Sequence, residues 1–217
     1  GDHVHGVATL VKKHKLPVYI TPNTFQHANM MLDENEILPL IPDVPIEIGN
    51  LSIKAFPKFH DAADPHSFIV SGNGVNIGII TDIGSVCQHV VTHFKTCHAA
   101  FLESNYDEEM LEKGRYPQAL KDRIRGGFGH LSNRQALELF KLHQSPHLSH
   151  LFLSHLSKHN NRPELVKEMF FAAATHTEIV IASREKETAL YHIHADVQKK
   201  SYRKQSITTT QQLTLFS

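Results

Sequence analysis

Four segments of the sequence place histidine or aspartate just after an apolar run or at the start of a helix. They are Gly1-Asp2-His3, Phe59-His60-Asp61, Thr81-Asp82 and Ser154-His155. Because strand ends project their side chains into a shared cleft, ligands from distant segments can converge there. Imidazole and carboxylate donors without thiolate suit zinc, manganese or iron in a site that keeps open positions. A lone histidine is usually a core or surface residue, so the prediction depends on the four segments together.

The elements that must position these residues alternate along the chain. Apolar periodicity predicts helices at 4–15, 22–32, 86–94, 108–124, 133–143 and 163–174. It predicts strands at 18–21, 51–56, 67–70, 75–81, 99–102, 151–154, 179–182 and 189–193. Gly72-Asn73-Gly74 predicts a hairpin turn, and residues 33–50 are typical of loop and edge strand. Strands interleaved with helices predict an α/β fold.

Composition excludes some function classes. Lys+Arg and Asp+Glu balance at 22 each, so no global field favours nucleic acid or membrane, and a polyanion site would have to be local. The two cysteines, Cys87 and Cys97, exclude a disulfide framework and predict buried free thiols in a reducing cytoplasm. No apolar run is long enough to span a bilayer, which predicts a cytoplasmic protein without membrane contact.

The order of the four segments resembles the metallo-β-lactamase superfamily, whose signature is H-x-H-x-D-H followed by His, Asp and His. The resemblance implies an αββα sandwich. The chain carries only the x-D-H end of the first motif, as Gly1-Asp2-His3. Residues 1–194 are therefore expected to form a domain of this fold that lacks the N-terminal strands of its first half.

The resemblance also implies a site for two divalent metal ions, of zinc, manganese or iron. Asp2 and His3 would bind the second metal together with His155, His60 would bind the first, and Asp82 would bridge the two. Such a pair activates a water molecule for hydrolysis. The sequence opens at Gly1, after the place where the resemblance would put the two histidines that complete the first site. Weak occupancy of the first site and poor activity of this polypeptide are expected.

Longer motifs resemble one branch of the superfamily, the bacterial YycJ/WalJ-type proteins, which are regarded as DNA-exonuclease-like. They are Leu102-Glu103-Ser104-Asn105-Tyr106-Asp107, Tyr116-Pro117, Gly129-His130-Leu131-Ser132-Asn133 and Leu153-Ser154-His155-Leu156-Ser157. The resemblance implies a nuclease acting on DNA in replication or repair.

Glu103 and His130 stand where ribonuclease Z has a glutamate–histidine pair thought to protonate the leaving oxygen. A carboxylate that holds an imidazole charged would let it donate to an alkoxide, so both residues are candidate catalytic residues, with Asp2. The alternative is that Glu103 caps a helix and that His130 only packs.

Four polar residues are candidate substrate contacts: Ser132, Asn133, Asn160 and Asn161. Ser132 also precedes a helical run and is a natural N-cap, and a helix start offers backbone N–H groups to a phosphate. Asn160 and Asn161 are expected to open the helix that starts at Pro163.

Residues 195–217 are polar and lack glycine, which is typical of a flexible tail. Near its end, Gln212, Leu213, Leu215 and Phe216 resemble the Q-L-x-L-F motif by which bacterial replication and repair proteins bind the sliding clamp. Leu215 and Phe216 would be apolar anchors for a pocket on a partner. The alternative is that the tail docks on its own domain.

Three functions remain open at this stage. The first is a metal-dependent phosphodiesterase, a DNA exonuclease. The second is a hydrolase of a small molecule, such as a thioester or cyclic phosphodiester, since one fold hosts many reactions. The third is a non-catalytic protein tethered to the clamp.

Overall fold

The computed structural model describes residues 4–195. The helices are α1 (Val7–His14), α2 (Pro22–Ala28), α3 (Gln88–Phe94), α4 (Glu108–Lys113), α5 (Gln118–Arg125), α6 (Asn133–His143) and α7 (Pro163–Ala173). The strands are β1 (Val18–Ile20), β2 (Ile37–Pro39), β3 (Ile46–Ile48), β4 (Leu51–Pro57), β5 (His66–Gly72), β6 (Val75–Ile80), β7 (Ala99–Glu103), β8 (His150–Ser154) and β9 (Glu178–Ile181). The predicted α/β class is confirmed.

Seven strands form one mixed sheet in the order β3-β4-β5-β6-β7-β8-β9. The pairs from β3 to β6 are antiparallel, and those from β6 to β9 are parallel. The hairpin between β5 and β6 turns at Asn73 and Gly74, with φ angles of 49° and 75°, the left-handed conformation that a two-residue hairpin favours. β1 and β2 pair separately, in parallel.

The two faces of the large sheet are covered differently. Side chains from α3, α6 and α7, including Phe94, Phe140 and Phe170, pack with Leu102 and Leu151 in the main buried core. On the other face a smaller cluster forms around Ala99, Phe152 and Val180. Strand residues alternate between these clusters because successive side chains point to opposite faces. No helix within residues 4–195 is both long and apolar enough to cross a membrane.

Two predicted elements were wrong. The predicted helix at 108–124 is two helices, α4 and α5, because Gly114 ends the first and Pro117 precedes the second with no N–H to offer. The predicted strand at 189–193 is not a strand. Its apolar pattern has another cause: Tyr191 packs edge-to-face on Phe152, with ring centroids 5.1 Å apart, and Ile193 joins the same cluster.

Several boundaries also differ from the prediction. The first helix begins at Val7 instead of residue 4, and only Val11 on its predicted apolar face is buried, while Leu10 is exposed. The second helix ends at Ala28 instead of residue 32, where Asn29 takes a left-handed conformation with φ of 47°. Asparagine is one of the few residues that adopts this conformation readily.

Candidate metal centre

The site lies at the edge of the sheet where three parallel strands end. Asp82 follows β6, Glu103 is the last residue of β7, and His155 follows β8. Parallel neighbours bring their carboxyl ends to one edge, which is where ligands bind in open α/β sheets. Asp82 and His155 adopt left-handed backbone conformations, with φ of 52° and 60°. Such strained positions persist only where surrounding contacts hold them, and they are frequent in functional sites.

Four side chains converge at this edge: Asp82, Glu103, His130 and His155. Each offers one oxygen or nitrogen atom, and these atoms lie within 4.8 Å of one another. Oδ1 of Asp82 is 3.4 Å from Nδ1 of His155 and 4.0 Å from Nδ1 of His130. The structure therefore brings together carboxylates and imidazoles from three strand ends and from the loop before α6.

Glu103 is the hub of this group and is fully buried. Its Oε1 accepts hydrogen bonds from Nδ1 of His130 at 2.7 Å and Nδ1 of His155 at 2.9 Å, and its Oε2 accepts one from the backbone N–H of Ile83 at 2.6 Å. Burial by itself would raise the pKa of Glu103, but hydrogen bonds and attraction from the two imidazoles outweigh it, and the pKa lies below its ordinary value. The carboxylate is therefore anionic at neutral pH.

His60 also lies close to Asp82. Its Nε2 is 3.7 Å from Oδ1 of Asp82 and 3.4 Å from Oδ1 of Asp61. Its Nδ1 lies 2.9 Å from the backbone oxygen of Gly129, a distance at which it donates a hydrogen bond. That tautomer leaves the Nε2 lone pair on the side of Asp82, and a backbone carbonyl is a common outer partner of metal-ligating histidine.

The donor set fits a divalent transition metal. Asp82, His60 and His155 supply oxygen and nitrogen donors that suit zinc, manganese and iron. Glu103 fits less well as a direct ligand, because both of its oxygens already accept hydrogen bonds. Its contact with His155 is instead typical of a carboxylate that orients a metal-binding histidine. Asp2 and His3 lie outside the described residues.

A tight loop carries His130 into the site. The backbone N–H of His130 donates to the backbone oxygen of Ile124 at 2.8 Å, which folds the loop back on α5. A Cβ on Gly129 would lie 2.1 Å from the oxygen of Arg123 and 2.2 Å from that of Ile124, so only glycine fits. The rings of His130 and His60 have centroids 5.2 Å apart.

The four predicted substrate contacts are buried: Ser132, Asn133, Asn160 and Asn161. Ser132 is the N-cap of α6, as predicted, and forms a capping box with Gln135. Nδ2 of Asn161 donates to the backbone oxygens of Ser104 and Asn105, and its amide also bonds that of Asn133.

This amide network lies beneath the site and ties the loop after β7 to α6, so we assign it a supporting role. The predicted opening of α7 by Asn160 and Asn161 was wrong: the N-cap is Arg162, without a side-chain cap.

Two supporting residues were missed from the sequence. Nδ2 of Asn105 donates to the backbone oxygen of His155 at 2.8 Å and so holds its left-handed turn. Nζ of Lys58 donates to the backbone oxygen of Thr81 at 2.7 Å, next to Asp82. Burial lowers the pKa of Lys58, against the attraction of Asp82 and Glu103. Asn105 lies within the motif at residues 102–107, whereas no sequence pattern marks Lys58.

Two cavities open beside the cluster. One, of about 390 Å³, is lined by both His130 and His155 and by the basic residues Arg123, Lys158 and Arg184. The other, of about 610 Å³, lies on the side of His60 and Asp82. Its walls are more apolar and include Val4 and Val7. The first cavity is the more polar of the two, and its basic lining suits an anionic ligand.

Sequence comparison identifies relatives over most of the chain. Residues 1–155 match the β-lactamase superfamily domain. Exodeoxyribonuclease YycJ of Bacillus anthracis is 34% identical over 171 residues, and the match covers 76% of this chain and 64% of that protein. Exodeoxyribonuclease WalJ of Streptococcus pneumoniae serotype 2 (strain D39 / NCTC 7466) is 28% identical over 173 residues, and the match covers 76% of this chain and 63% of that protein. The chain thus spans less than two thirds of the length of these relatives.

Solved structures share the fold. The metallo-β-lactamase fold protein YhfI from Bacillus subtilis matches with a TM-score of 0.64 and 15% identity, over 83% of this chain and 70% of that one. Zinc-bound PqqB from Methylobacterium extorquens matches with a TM-score of 0.60 and 15% identity, over 83% of this chain and 67% of that one. The chain has the metallo-β-lactamase fold.

Proposed function

The chain belongs to the β-lactamase superfamily, and we propose that it is a metal-dependent phosphodiesterase that removes nucleotides from an end of DNA. The observation that carries the proposal is the pair of hydrogen bonds that Oε1 of Glu103 accepts from His130 and His155. Through this one carboxylate, a candidate metal ligand and a candidate proton donor are held side by side. Both imidazoles line the same open cavity.

His60, Asp82 and His155 are the proposed metal ligands among the described residues, and Asp2 and His3 are proposed to complete the set. Val4 lines the same cavity as His60 and Asp82, which supports this proposal. Two divalent ions held there would polarise a phosphoryl oxygen and activate water at neutral pH.

His130 is the proposed general acid. Hydrolysis forms a bond from water oxygen to phosphorus, releases one water proton to solvent and breaks the bond to the leaving oxygen, which must then take a proton. Nδ1 of His130 is engaged with Glu103, so Nε2 is the nitrogen that can donate it. The carboxylate of Glu103, whose pKa is lowered, is anionic and accepts the hydrogen bond from Nδ1, which orients the ring for that donation.

The cavity beside His130 supports an anionic substrate. Arg123, Lys158 and Arg184 give it three basic side chains, against one acidic residue, Asp61. Nε of Arg123 bonds Oδ2 of Asp61, and Nη2 of Arg184 bonds the backbone oxygen of Leu156. These contacts fix the two guanidinium groups at the wall, where they can bind phosphate oxygens.

DNA is the proposed polymer because the relatives named above are called exodeoxyribonucleases. We propose that the activity serves DNA replication or repair in the cytoplasm. A cavity of about 390 Å³ would also hold a small molecule, so a small-molecule hydrolase remains the second candidate.

The test is a metal-loaded assay of the 217-residue chain on labelled single-stranded DNA, duplex DNA, RNA, a thioester and a cyclic phosphodiester. We expect release of nucleotides from DNA. His130→Ala is expected to slow it about 10²- to 10⁴-fold while leaving metal affinity unchanged. His14→Ala, at an exposed position on α1, is the matched control and should keep the wild-type rate.

Each other outcome has a definite meaning. Faster turnover of the thioester or cyclic phosphodiester than of DNA would favour the small-molecule hydrolase. Binding of DNA without turnover of any substrate by the metal-loaded protein would favour a non-catalytic role. An unchanged DNA cleavage rate in His130→Ala would reject the assignment of the acid.

The tail carries a separate proposal that rests on the sequence alone. Gln212, Leu213, Leu215 and Phe216 lie outside the described residues. We propose that they bind a bacterial sliding clamp, through two apolar anchors entering a pocket. A pull-down with clamp should succeed with the full chain and fail after deletion of residues 212–217. Equal recovery of both proteins would end the proposal.

A further inference from the structure

Two phenylalanine rings are exposed on the segments that deliver His60 and His130. Phe59 directly precedes His60, and Phe128 stands two residues before His130. Phe59 is 47% exposed and Phe128 is 61% exposed. Their ring centroids lie 5.8 Å apart at an angle of 68°, an edge-to-face contact. The rings thus form one aromatic pair, Phe59–Phe128, that keeps much of its surface in water.

Hydrogen bonds and close packing against the loop at Gly84 hold the two segments in place. The N–H of Gly84 donates to the oxygen of Phe59 at 2.7 Å, and Nδ1 of His60 lies 2.9 Å from the oxygen of Gly129. A Cβ on Gly84 would lie 2.4 Å from both the oxygen of Gly127 and the Cα of Phe128, so the loop is pressed against its neighbour. The position of the aromatic pair relative to the metal centre is therefore set by backbone packing.

The aromatic pair is close to the reacting groups. Consecutive Cα atoms are about 3.8 Å apart, so the Cα of Phe128 lies within about 7.6 Å of that of His130. Neither phenylalanine lines the cavity that holds Arg123, Lys158 and Arg184, whereas His130 does. The site thus has basic groups in its cavity and exposed aromatic rings on the adjoining surface.

Single-stranded nucleic acid needs both kinds of surface. Cationic side chains bind its phosphates, and aromatic faces stack with its bases whatever their sequence. Exposing two large apolar rings costs free energy in water, since their burial would be favourable. A base stacked on them would recover part of that free energy. Because Lys+Arg and Asp+Glu balance at 22 each, the chain has no net charge that would attract DNA. Binding would therefore depend on local features of this kind.

We propose that Phe59–Phe128 is a stacking platform for one base of single-stranded DNA next to the scissile phosphate. The inference rests on the proposed phosphodiesterase function and deepens it. It predicts that the single-stranded DNA is bound through a stacked base at one position and through its phosphates at others. Base identity at that position should matter little, because every base has a face that stacks.

The experiment measures binding of the full chain to a fluorescent single strand of about ten nucleotides, in chelator so that no cleavage occurs. A series of strands carries one abasic nucleotide, moved along the sequence. For the wild type, the abasic nucleotide is expected to weaken binding about five- to 150-fold at one position and little elsewhere. Phe128→Ala and Phe59→Ala should weaken binding of the intact strand and remove this position dependence. Phe128→Tyr should retain both.

Phe171→Ala is the matched control, because Phe171 is also an exposed phenylalanine, at 52%, but belongs to α7. It should bind all strands as the wild type does. If the abasic nucleotide still weakens binding at one position in Phe128→Ala, the platform proposal is wrong. It is also wrong if the wild type binds intact and abasic strands equally.

The two proposals fail in different ways. If metal-loaded protein cleaves DNA but the phenylalanine variants keep the abasic effect, only the platform is rejected. If the protein cleaves only small molecules and does not bind single strands, the nuclease proposal is rejected and the platform with it.

Discussion

Oε1 of Glu103 accepts a hydrogen bond from Nδ1 of His155 at 2.9 Å, at the ends of two neighbouring parallel strands. The same oxygen bonds His130, so one buried carboxylate orients two imidazoles. A carboxylate that accepts from the second ring nitrogen of a histidine fixes its tautomer and raises its basicity as a ligand. Glu103 therefore connects the proposed metal ligand with the proposed acid.

Glu103→Gln should weaken metal binding. The amide keeps the shape of the side chain, but its NH₂ group must face an N–H donor, either an imidazole or the backbone of Ile83. We expect the affinity for zinc or manganese, measured by competition with a chelating dye, to fall about 10- to 100-fold. Glu164→Gln, on the exposed surface of α7, should bind metal as the wild type does. Equal affinities in the two variants would contradict an orienting role for Glu103.

Gly129→Ala should disturb the loop that carries His130. The added methyl group would overlap the backbone oxygens of Arg123 and Ile124, and the loop must shift because backbone cannot rotate away. Overpacking of this kind costs about 1–3 kcal/mol in the free energy of unfolding. A shift of about 1 Å at His130 would slow the reaction about 10²-fold.

Gly127→Ala is its matched control, since the nearest atom to that new methyl group would be Oγ of Ser85 at 4.0 Å. Urea unfolding and the DNA cleavage rate should both distinguish the two alanine variants. If Gly127→Ala is the more damaging one, the packing argument is wrong.

Asn161→Ala should destabilise the loops beneath the site. It removes the donor that serves the backbone oxygens of Ser104 and Asn105 and the partner of Asn133, all within buried surroundings. Unsatisfied buried groups of this kind cost about 1–3 kcal/mol. We expect a loss of that size in urea unfolding, against less than about 0.5 kcal/mol for Asn35→Ala at an exposed position. Equal urea-unfolding midpoints for the two variants would show that the amide network does not stabilise the fold.

The two thiols should differ in reactivity. Burial raises the pKa of Cys97 from 9.0 to about 12, whereas Cys87 is partly exposed. Iodoacetamide at neutral pH is therefore expected to alkylate Cys87 in the native protein, and Cys97 only after unfolding, as measured by mass spectrometry. Alkylation of Cys97 as fast as Cys87 would contradict its burial.

The raised pKa of Cys97 also has a consequence for stability. The unfolded chain loses the thiol proton near pH 9.0 and the folded chain only near pH 12. The contribution of the protonated thiol is thus fully present below about pH 9 and is lost as the pH rises towards 12. Cys97→Ala should show a shallower decline of unfolding free energy across this window. Parallel declines in both proteins would contradict the assignment.

Local patterns sufficed for turns and helix starts. The β5–β6 hairpin followed from Gly72-Asn73-Gly74, and the start of α6 followed from Ser132, because turn and cap preferences act over a few residues. The segment 189–193 misled because Tyr191 and Ile193 pack on a sheet face without joining the sheet. Alternation reports which side chains are buried, not which backbone groups are paired.

The sequence by itself determined the residue types of the site and the family of the chain, since Asp82, His130 and His155 lie in segments that resemble the motifs of the superfamily. Only the tertiary structure decided how they are connected. Glu103, at the end of one strand, accepts hydrogen bonds from His155, after another strand, and from His130, in a loop. Asn105 donates a hydrogen bond to the backbone of His155, which is 50 residues away in the chain. Such contacts depend on strand order and register, which bring distant segments to one sheet edge. No local spacing encodes them.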